Sequence, residues 1–204
     1  MTADTRARLL EAALELLDER GVDALTLRAI ARRCGVSHGA PLKHFPHRAA
    51  LLSAVATQGF RELQDWAGEA LAKLPPDASP ARRLRTGTRA YVEYAVARPE
   101  MFALMFRRDL LDPHDRELGR ASLGGFENLV RLVEARQAEG WRADADPRLL
   151  TGALWSALHG TAELWSWGSL PLATGAATID DVLDGLCEAF EIGPPTARRK
   201  RTTP

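Results

Sequence analysis

Thr26-Leu27-Arg28-Ala29-Ile30-Ala31-Arg32-Arg33, then Cys34-Gly35-Val36, then Ser37-His38-Gly39-Ala40-Pro41-Leu42-Lys43-His44 is the stretch on which the reading of this chain turns. Thr26 offers an N-cap oxygen, and Leu27, Ile30 and Ala31 fall on one face of a short helix. Gly35 sits where a tight turn needs a left-handed residue, and Ser37 is the next N-cap candidate. A second short helix is expected from about His38 to His44, stopped by Pro46. Two short helices around such a turn have the spacing of a helix-turn-helix, whose second helix can enter a major groove. Ser37, His38, Gly39 and Ala40 are small or polar, as a backbone approaching base edges requires. Lys43 and His44 follow within reach of a sugar-phosphate backbone, and Arg28 can meet a phosphate from the other side.

Outward from this unit the periodicity stays helical. Upstream, Leu9, Leu10, Ala13, Leu14, Leu16 and Leu17 recur at three- and four-residue steps until Gly21. Downstream, Ala49, Leu51, Leu52, Val55, Ala56, Phe60 and Leu63 open a longer helix, and Pro75-Pro76-Asp77-Ala78-Ser79-Pro80 is a loop. Further helices are expected from Leu84 to Arg98, Met101 to Phe106, Leu118 to Ala138, Leu149 to Trp165 and Ile179 to Phe190. No segment alternates as a strand does. The expectation is an all-α protein of about nine helices: a helix-turn-helix head over residues 1–48, a larger helical regulatory and dimerisation domain over 49–193, and a basic flexible tail over 194–204.

The 204 residues are 46% hydrophobic and 26% charged, which places the chain among globular proteins and excludes extended disorder. No run approaches the ~20 apolar residues of a membrane span, and the N-terminus leads into an amphipathic pattern rather than a signal peptide. Cys34 and Cys187 cannot build a disulfide framework, so a reducing cytoplasm is expected, with nucleoid association when DNA is bound. The formal net charge is zero, but Ala24 to Phe60 contains no Asp or Glu while holding Arg28, Arg32, Arg33, Lys43 and Arg48. The tail adds Arg198, Arg199, Lys200 and Arg201. The zero mean conceals a basic N-terminal segment suited to nucleic acid.

Thr26 to Ala31, Cys34 to Ser37, and Phe45-Pro46-His47-Arg48-Ala49-Ala50-Leu51-Leu52 together resemble the DNA-binding domain of TetR-family transcriptional regulators over roughly residues 6 to 55. The resemblance implies DNA contacts at Thr26, Arg28, Ser37, His38, Gly39, Ala40, Lys43, His44 and Arg48. The chain departs from the family in having Leu42 where an aromatic residue is usual, Ala49 where an acid is usual, and Pro41 within the recognition helix. Arg98 to Phe106 and Trp155-Ser156-Ala157-Leu158-His159-Gly160 resemble the WHG subgroup of the family's C-terminal domain.

Leu149 to Trp165 is apolar nearly all round, so one face needs a second burial partner: another subunit, or a wholly internal position within one chain. The family forms homodimers through its last two long helices, which implies contacts at Leu150, Leu154, Leu158, Trp165, Val182, Leu183, Leu186 and Phe190. The family's regulatory pocket implies ligand contacts at Trp66, Phe102, Met105, Phe106, Phe126, Trp155 and His159, and their chemistry suits a small hydrophobic ligand. Aromatics and methionines at such spacing also make ordinary core, and His159 reads equally as a ligand contact or a core histidine. Ser156 and Ser37 lack a triad, no glycine loop cradles phosphate, and no metal-ligand spacing occurs, so neither catalysis nor a cofactor is expected. The resulting expectation is a ligand-responsive regulator, a repressor at a palindromic operator in double-stranded DNA. The alternatives are a helical small-molecule carrier or enzyme without DNA binding, and a sequence-tolerant architectural binder using the basic tail.

Overall fold

A computed structural model describes residues 2–192, with side chains from residue 5 onward; the expected tail lies outside the described residues. Among these there are nine α-helices and no strand: α1 (Thr2–Arg20), α2 (Leu27–Arg33), α3 (Arg48–Ala72), α4 (Pro80–Ala97), α5 (Pro99–Phe106), α6 (Arg116–Gln137), α7 (Pro147–Ser166), α8 (Ser169–Thr174) and α9 (Ile179–Ala189). Short 3-10 turns occupy Val22–Ala24 and Pro41–Lys43. The number agrees with expectation, but the set differs. The expected His38–His44 helix is replaced by a 3-10 turn, and the short α8 is additional.

Local chemistry sets most of the boundaries. Gly21 adopts a φ of 71° and closes α1. Asp115 Oδ1 accepts the N–H groups of Glu117 and Leu118 at the start of α6, and Asp146 does the same for Arg148 and Leu149 at α7, with Pro147 in the first turn. Thr178 and Asp181 form a reciprocal capping box on α9.

Packing divides the chain into two compact units. The first holds residues up to 65 together with 97–125; the second holds 66–96 together with 126 onward. This division does not fall at residue 48, because Leu51, Leu52, Val55 and Ala56 on α3 are buried within the first unit rather than opening a separate body.

In the first unit, Leu9, Ala13 and Leu17 of α1 are buried, as are Leu25, Ile30, Ala31 and Phe45. Arg98, at the N-terminus of α5, reaches Asp18 of α1 at 3.2 Å and Glu62 of α3 at 3.9 Å. Gln64 donates to the Ala121 carbonyl (3.0 Å), and Arg61 pairs with Glu117 (2.6 Å), so α3 holds the start of α6.

In the second unit, Arg85 and Arg89, one turn apart on α4, pair with Asp184 and Asp180 on α9 at 2.5 Å each. Trp141 donates its indole N–H to the Phe190 carbonyl at 3.0 Å, fixing the end of α9. Leu154, Leu158 and Ala162 of α7 are buried, with Leu183 and Cys187 of α9.

That burial corrects three of the expected dimer contacts. Leu154 and Leu158 have no exposed surface and Leu183 has 2%, all within a single chain, so they are core residues of the protomer. The part of α7 left uncovered is another stripe. Leu149, Ala153, Ser156, Leu164 and Trp167 are exposed, and their spacing of three, four and eight places them on one side of the helix with its C-cap. Leu150, Trp165, Val182, Leu186 and Phe190 are half-buried.

Candidate nucleic-acid interface and regulatory cluster

The helix-turn-helix is built from short-range hydrogen bonds. Thr26 Oγ1 accepts the Ala29 N–H at 3.1 Å and starts α2. At its end, Val36 N–H donates to the Ala31 carbonyl (3.0 Å) and Gly35 N–H to the Arg32 carbonyl (3.2 Å), with Gly35 at φ 64°. This is the paired closure of a Schellman motif, and it requires a left-handed residue where Gly35 stands.

Beyond the turn the chain does not re-enter an α-helix. Pro41 has no N–H, so the Ser37 carbonyl takes its hydrogen bond from Ala40 N–H at 3.0 Å instead. His44 N–H then reaches the Pro41 carbonyl at 2.9 Å, which keeps the segment in three-residue steps. Pro41 itself is buried, and it is the inward-facing anchor of the segment. Outward, Ser37, His38, Gly39, Leu42 and Lys43 are exposed, Ala40 and His44 half-buried. Thr26 and Arg28 are exposed beside them at the start of α2.

Two cations of the acid-free stretch serve the head internally. Arg33 reaches from α2 to α1, where it pairs with Glu15 at 2.9 Å and Glu19 at 2.6 Å. Its hydrogen bond holds the Glu19 carboxyl below the usual carboxylate range. Arg48, expected as a DNA contact, donates Nε–H to the Leu25 carbonyl and Nη2–H to the Val22 carbonyl, both at 2.7 Å. Those carbonyls belong to the turn between α1 and α2, so Arg48 ties the start of α3 to the base of the motif. These two bonds give Arg48 a structural role at the base of the motif. His47 Nδ1 accepts the Ala50 N–H at 3.1 Å and caps α3.

The expected ligand contacts are distributed over the two units. In the first, Phe106 meets Phe60 and Phe102 edge-on, with centroid separations of 5.6 and 5.1 Å. Phe102 and Met105 are buried there, and a Cβ on Gly59 would lie 2.9 Å from Met105 Sδ. In the second unit, Trp155 stands edge-on to Phe126 at 5.9 Å, and its ring centroid is 6.2 Å from that of His159. Trp66, part-exposed, meets Tyr94 edge-on at 6.0 Å.

Tyr91 is the residue sequence reasoning left out. Trp155 Nε1–H donates to Tyr91 Oη at 2.9 Å, and the same hydroxyl lies 3.0 Å from His159 Nδ1. Burial pushes the Tyr91 phenol well above its ordinary value and the His159 imidazole below its ordinary 6.5, with Glu163 partly offsetting the latter. An imidazole whose neutral form is favoured on folding gives stability that is fully present above the unfolded value of 6.5. That stability is lost as pH falls below it, because the unfolded chain takes up the proton first. Acidification from about pH 7.5 to about 5.5 should therefore lower the melting temperature of the parent more than that of His159→Gln. Equal losses would count against a neutral histidine at this position.

Two family models cover most of the chain. Residues 9–55 match the model described as bacterial regulatory proteins, tetR family, and residues 84–190 match the one described as tetracyclin repressor-like, C-terminal domain. The latter description names the family and not the WHG subgroup. Among curated relatives, the HTH-type transcriptional regulator BetI of Burkholderia cenocepacia is 28% identical over 161 residues, covering 73% of this chain and 82% of that protein. An HTH-type transcriptional repressor of Mycobacterium tuberculosis is 29% identical over 189 residues, covering 88% and 80%. Among solved structures, a protein of unknown function from Rhodococcus sp. RHA1 superposes with a TM-score of 0.79 at 32% identity, covering 91% of this chain and 93% of that one. The TetR family regulator PfmR of Thermus thermophilus, at 22% identity and a TM-score of 0.65, covers 90% and 96% and shares the fold. A helix-turn-helix head joined to a helical C-terminal half defines a class of DNA-binding transcriptional regulators. The chain belongs to the TetR family of that class.

Proposed function

We propose that this protein is a cytoplasmic homodimeric repressor, not an enzyme, that leaves a palindromic operator when a small hydrophobic molecule binds its regulatory half. The observation that carries the DNA-binding part is the outward face of the head. Ser37, His38, Gly39 and Lys43 are exposed together beyond a Schellman turn, with Arg28 exposed at the start of α2. Small residues allow close backbone approach, and the cations supply phosphate contacts. Thr26, Ala40 and His44 complete the contact set, while Arg48 acts by positioning. In a two-fold dimer, two such faces meet major grooves ~34–36 Å apart or a multiple of that.

The dimer is assigned to the uncovered stripe of α7, Leu149, Ala153, Leu164 and Trp167, with the half-buried Leu150, Trp165, Val182, Leu186 and Phe190 beside it. Leu149 is 77% and Trp167 69% exposed in the single chain, an exposure of large apolar groups that a second subunit would remove. Ligand recognition is assigned to Phe126, Trp155 and His159 of the second unit. They offer much aromatic area and few polar atoms, as a hydrophobic effector requires. Phe102 and Met105 act as core of their own unit.

Salt titrations of DNA binding test the interface. Lys43→Ala should weaken binding to all sequences and reduce the salt slope by about one phosphate's worth. His38→Ala should instead change the preference among operator variants. An unchanged affinity and slope for Lys43→Ala would refute this docking.

A further inference from the structure

Leu42 is the one large apolar side chain left exposed among the described residues of the helix-turn-helix head, with 52% of its surface open. It follows Pro41, which is buried, and precedes Lys43, which is exposed, so the inward anchor of the segment turns the leucine outward. A single exposed leucine is ordinary by itself. This one lies in the segment that presents Ser37, His38, Gly39 and Lys43 to solvent, within the acid-free stretch from Ala24 to Phe60.

The backbone gives it a definite place on that face. Ala40 N–H donates to the Ser37 carbonyl, Lys43 N–H to the Ala40 carbonyl (3.3 Å) and His44 N–H to the Pro41 carbonyl, so the segment advances in three-residue steps. Residues three apart in such a turn lie on the same side, which puts Leu42 on the side of Gly39. Gly39 carries no side chain, and a Cβ built there would meet no atom within 4 Å. Bare backbone at Gly39 is therefore bordered by the methyl groups of Leu42.

A leucine side chain neither donates nor accepts a hydrogen bond, so a phosphate oxygen offers it nothing. The apolar feature that base pairs present in the major groove is the C5 methyl of thymine. Lys43, next in the chain, supplies a phosphate contact that holds register, and the missing side chain at Gly39 lets a base edge come close. We propose that Leu42 is a specificity-determining residue that packs on the C5 methyl of a thymine in each operator half-site. The assignment rests on the DNA-binding reading of the head above, and adds to it a side chain that reads a base without a hydrogen bond.

Replacing thymine by uracil removes this methyl and keeps every hydrogen-bonding group of the base, so it reads the contact alone. The probes are duplexes of the sequence that the full-length protein selects from random DNA, with deoxyuridine placed at each thymidine in turn. At least one thymine per half-site should be methyl-sensitive. The parent should bind about fourfold more weakly with uracil there in one half-site, and about fifteenfold more weakly with uracil in both. Leu42→Ala should bind the thymine and uracil duplexes equally while keeping the parent's salt slope, and Leu42→Ser serves as the second variant if the first fails to fold. Leu42→Met keeps an apolar contact and should retain most of the discrimination, which a merely structural role would not require. Parent binding indifferent to uracil at every position, or discrimination unchanged in folded Leu42→Ala, would overturn the proposal while leaving the head a DNA reader. Selection of no preferred sequence would overturn the DNA-binding reading and this assignment together.

Discussion

Ala153→Glu combined with Leu164→Glu should convert the protein into a folded monomer, whereas Leu183→Asp should yield no folded protein at all. The contrast follows from where the side chains lie. Ala153 and Leu164 are exposed on α7, so new carboxylates there cost the single chain little, on the order of 0.5 kcal/mol. Facing their own copies across a two-fold axis, the same carboxylates would be desolvated and would repel one another. Leu183 is 2% exposed among the side chains of its own unit. An unpaired carboxylate there costs about 4 kcal/mol or more, a large part of the ~5–15 kcal/mol that stabilises a domain. Light scattering at micromolar concentration, with circular dichroism as the check on folding, reads both. The parent's melting temperature should also rise with concentration, as expected for a dimer. A dimer undisturbed by the double variant would move the interface away from this face of α7.

Arg48→Ala should destabilise the head strongly, and it should act without removing a phosphate contact. Two charge-assisted hydrogen bonds to the Leu25 and Val22 carbonyls disappear, at 2.7 Å each. With solvent partly replacing them, the loss is about 2–3 kcal/mol in urea denaturation. Operator affinity should fall because the base of the motif loosens, while the salt slope stays that of the parent. Lys43→Ala gives the opposite pair of results, full stability and a reduced slope. Arg48→Ala with unchanged stability and a slope lower by about one would restore Arg48 to the DNA surface.

What could be read from the sequence was mostly what neighbouring residues decide. Thr26 caps α2, Gly21 closes α1 and Gly35 takes a left-handed φ because each event is settled within a few residues. The segment after Ser37 shows the limit of that approach. Pro41 deletes one N–H, and the consequence extends over the whole turn, since the Ser37 carbonyl is satisfied from Ala40 and the three-residue register continues to His44. Periodicity correctly marked Leu154, Leu158 and Leu183 as apolar-face residues. It could not say what covers them, because burial within a chain and burial in a dimer leave the same pattern. Arg48 and Tyr91 were beyond its reach for a simpler reason. Arg48 finds its carbonyls 23 and 26 residues away, and Tyr91 meets Trp155 and His159 at separations of 64 and 68. A basic residue in a DNA-binding segment looks like a phosphate contact until its partners are located. A tyrosine in an amphipathic helix looks like core until the donor and acceptor at its hydroxyl are seen.

The central claim is that the exposed face from Ser37 to Lys43, presented twice by a symmetric dimer, recognises a particular DNA sequence. Its most direct test is selection of binding sites by the full-length protein from random double-stranded DNA at near-physiological salt. An inverted repeat should be enriched, its half-sites separated by about one helical turn or a multiple of it, and the parent should bind it roughly 10³-fold or more tighter than unrelated DNA. Recovery of sequences with no common motif, bound no more tightly than the starting pool, would contradict it.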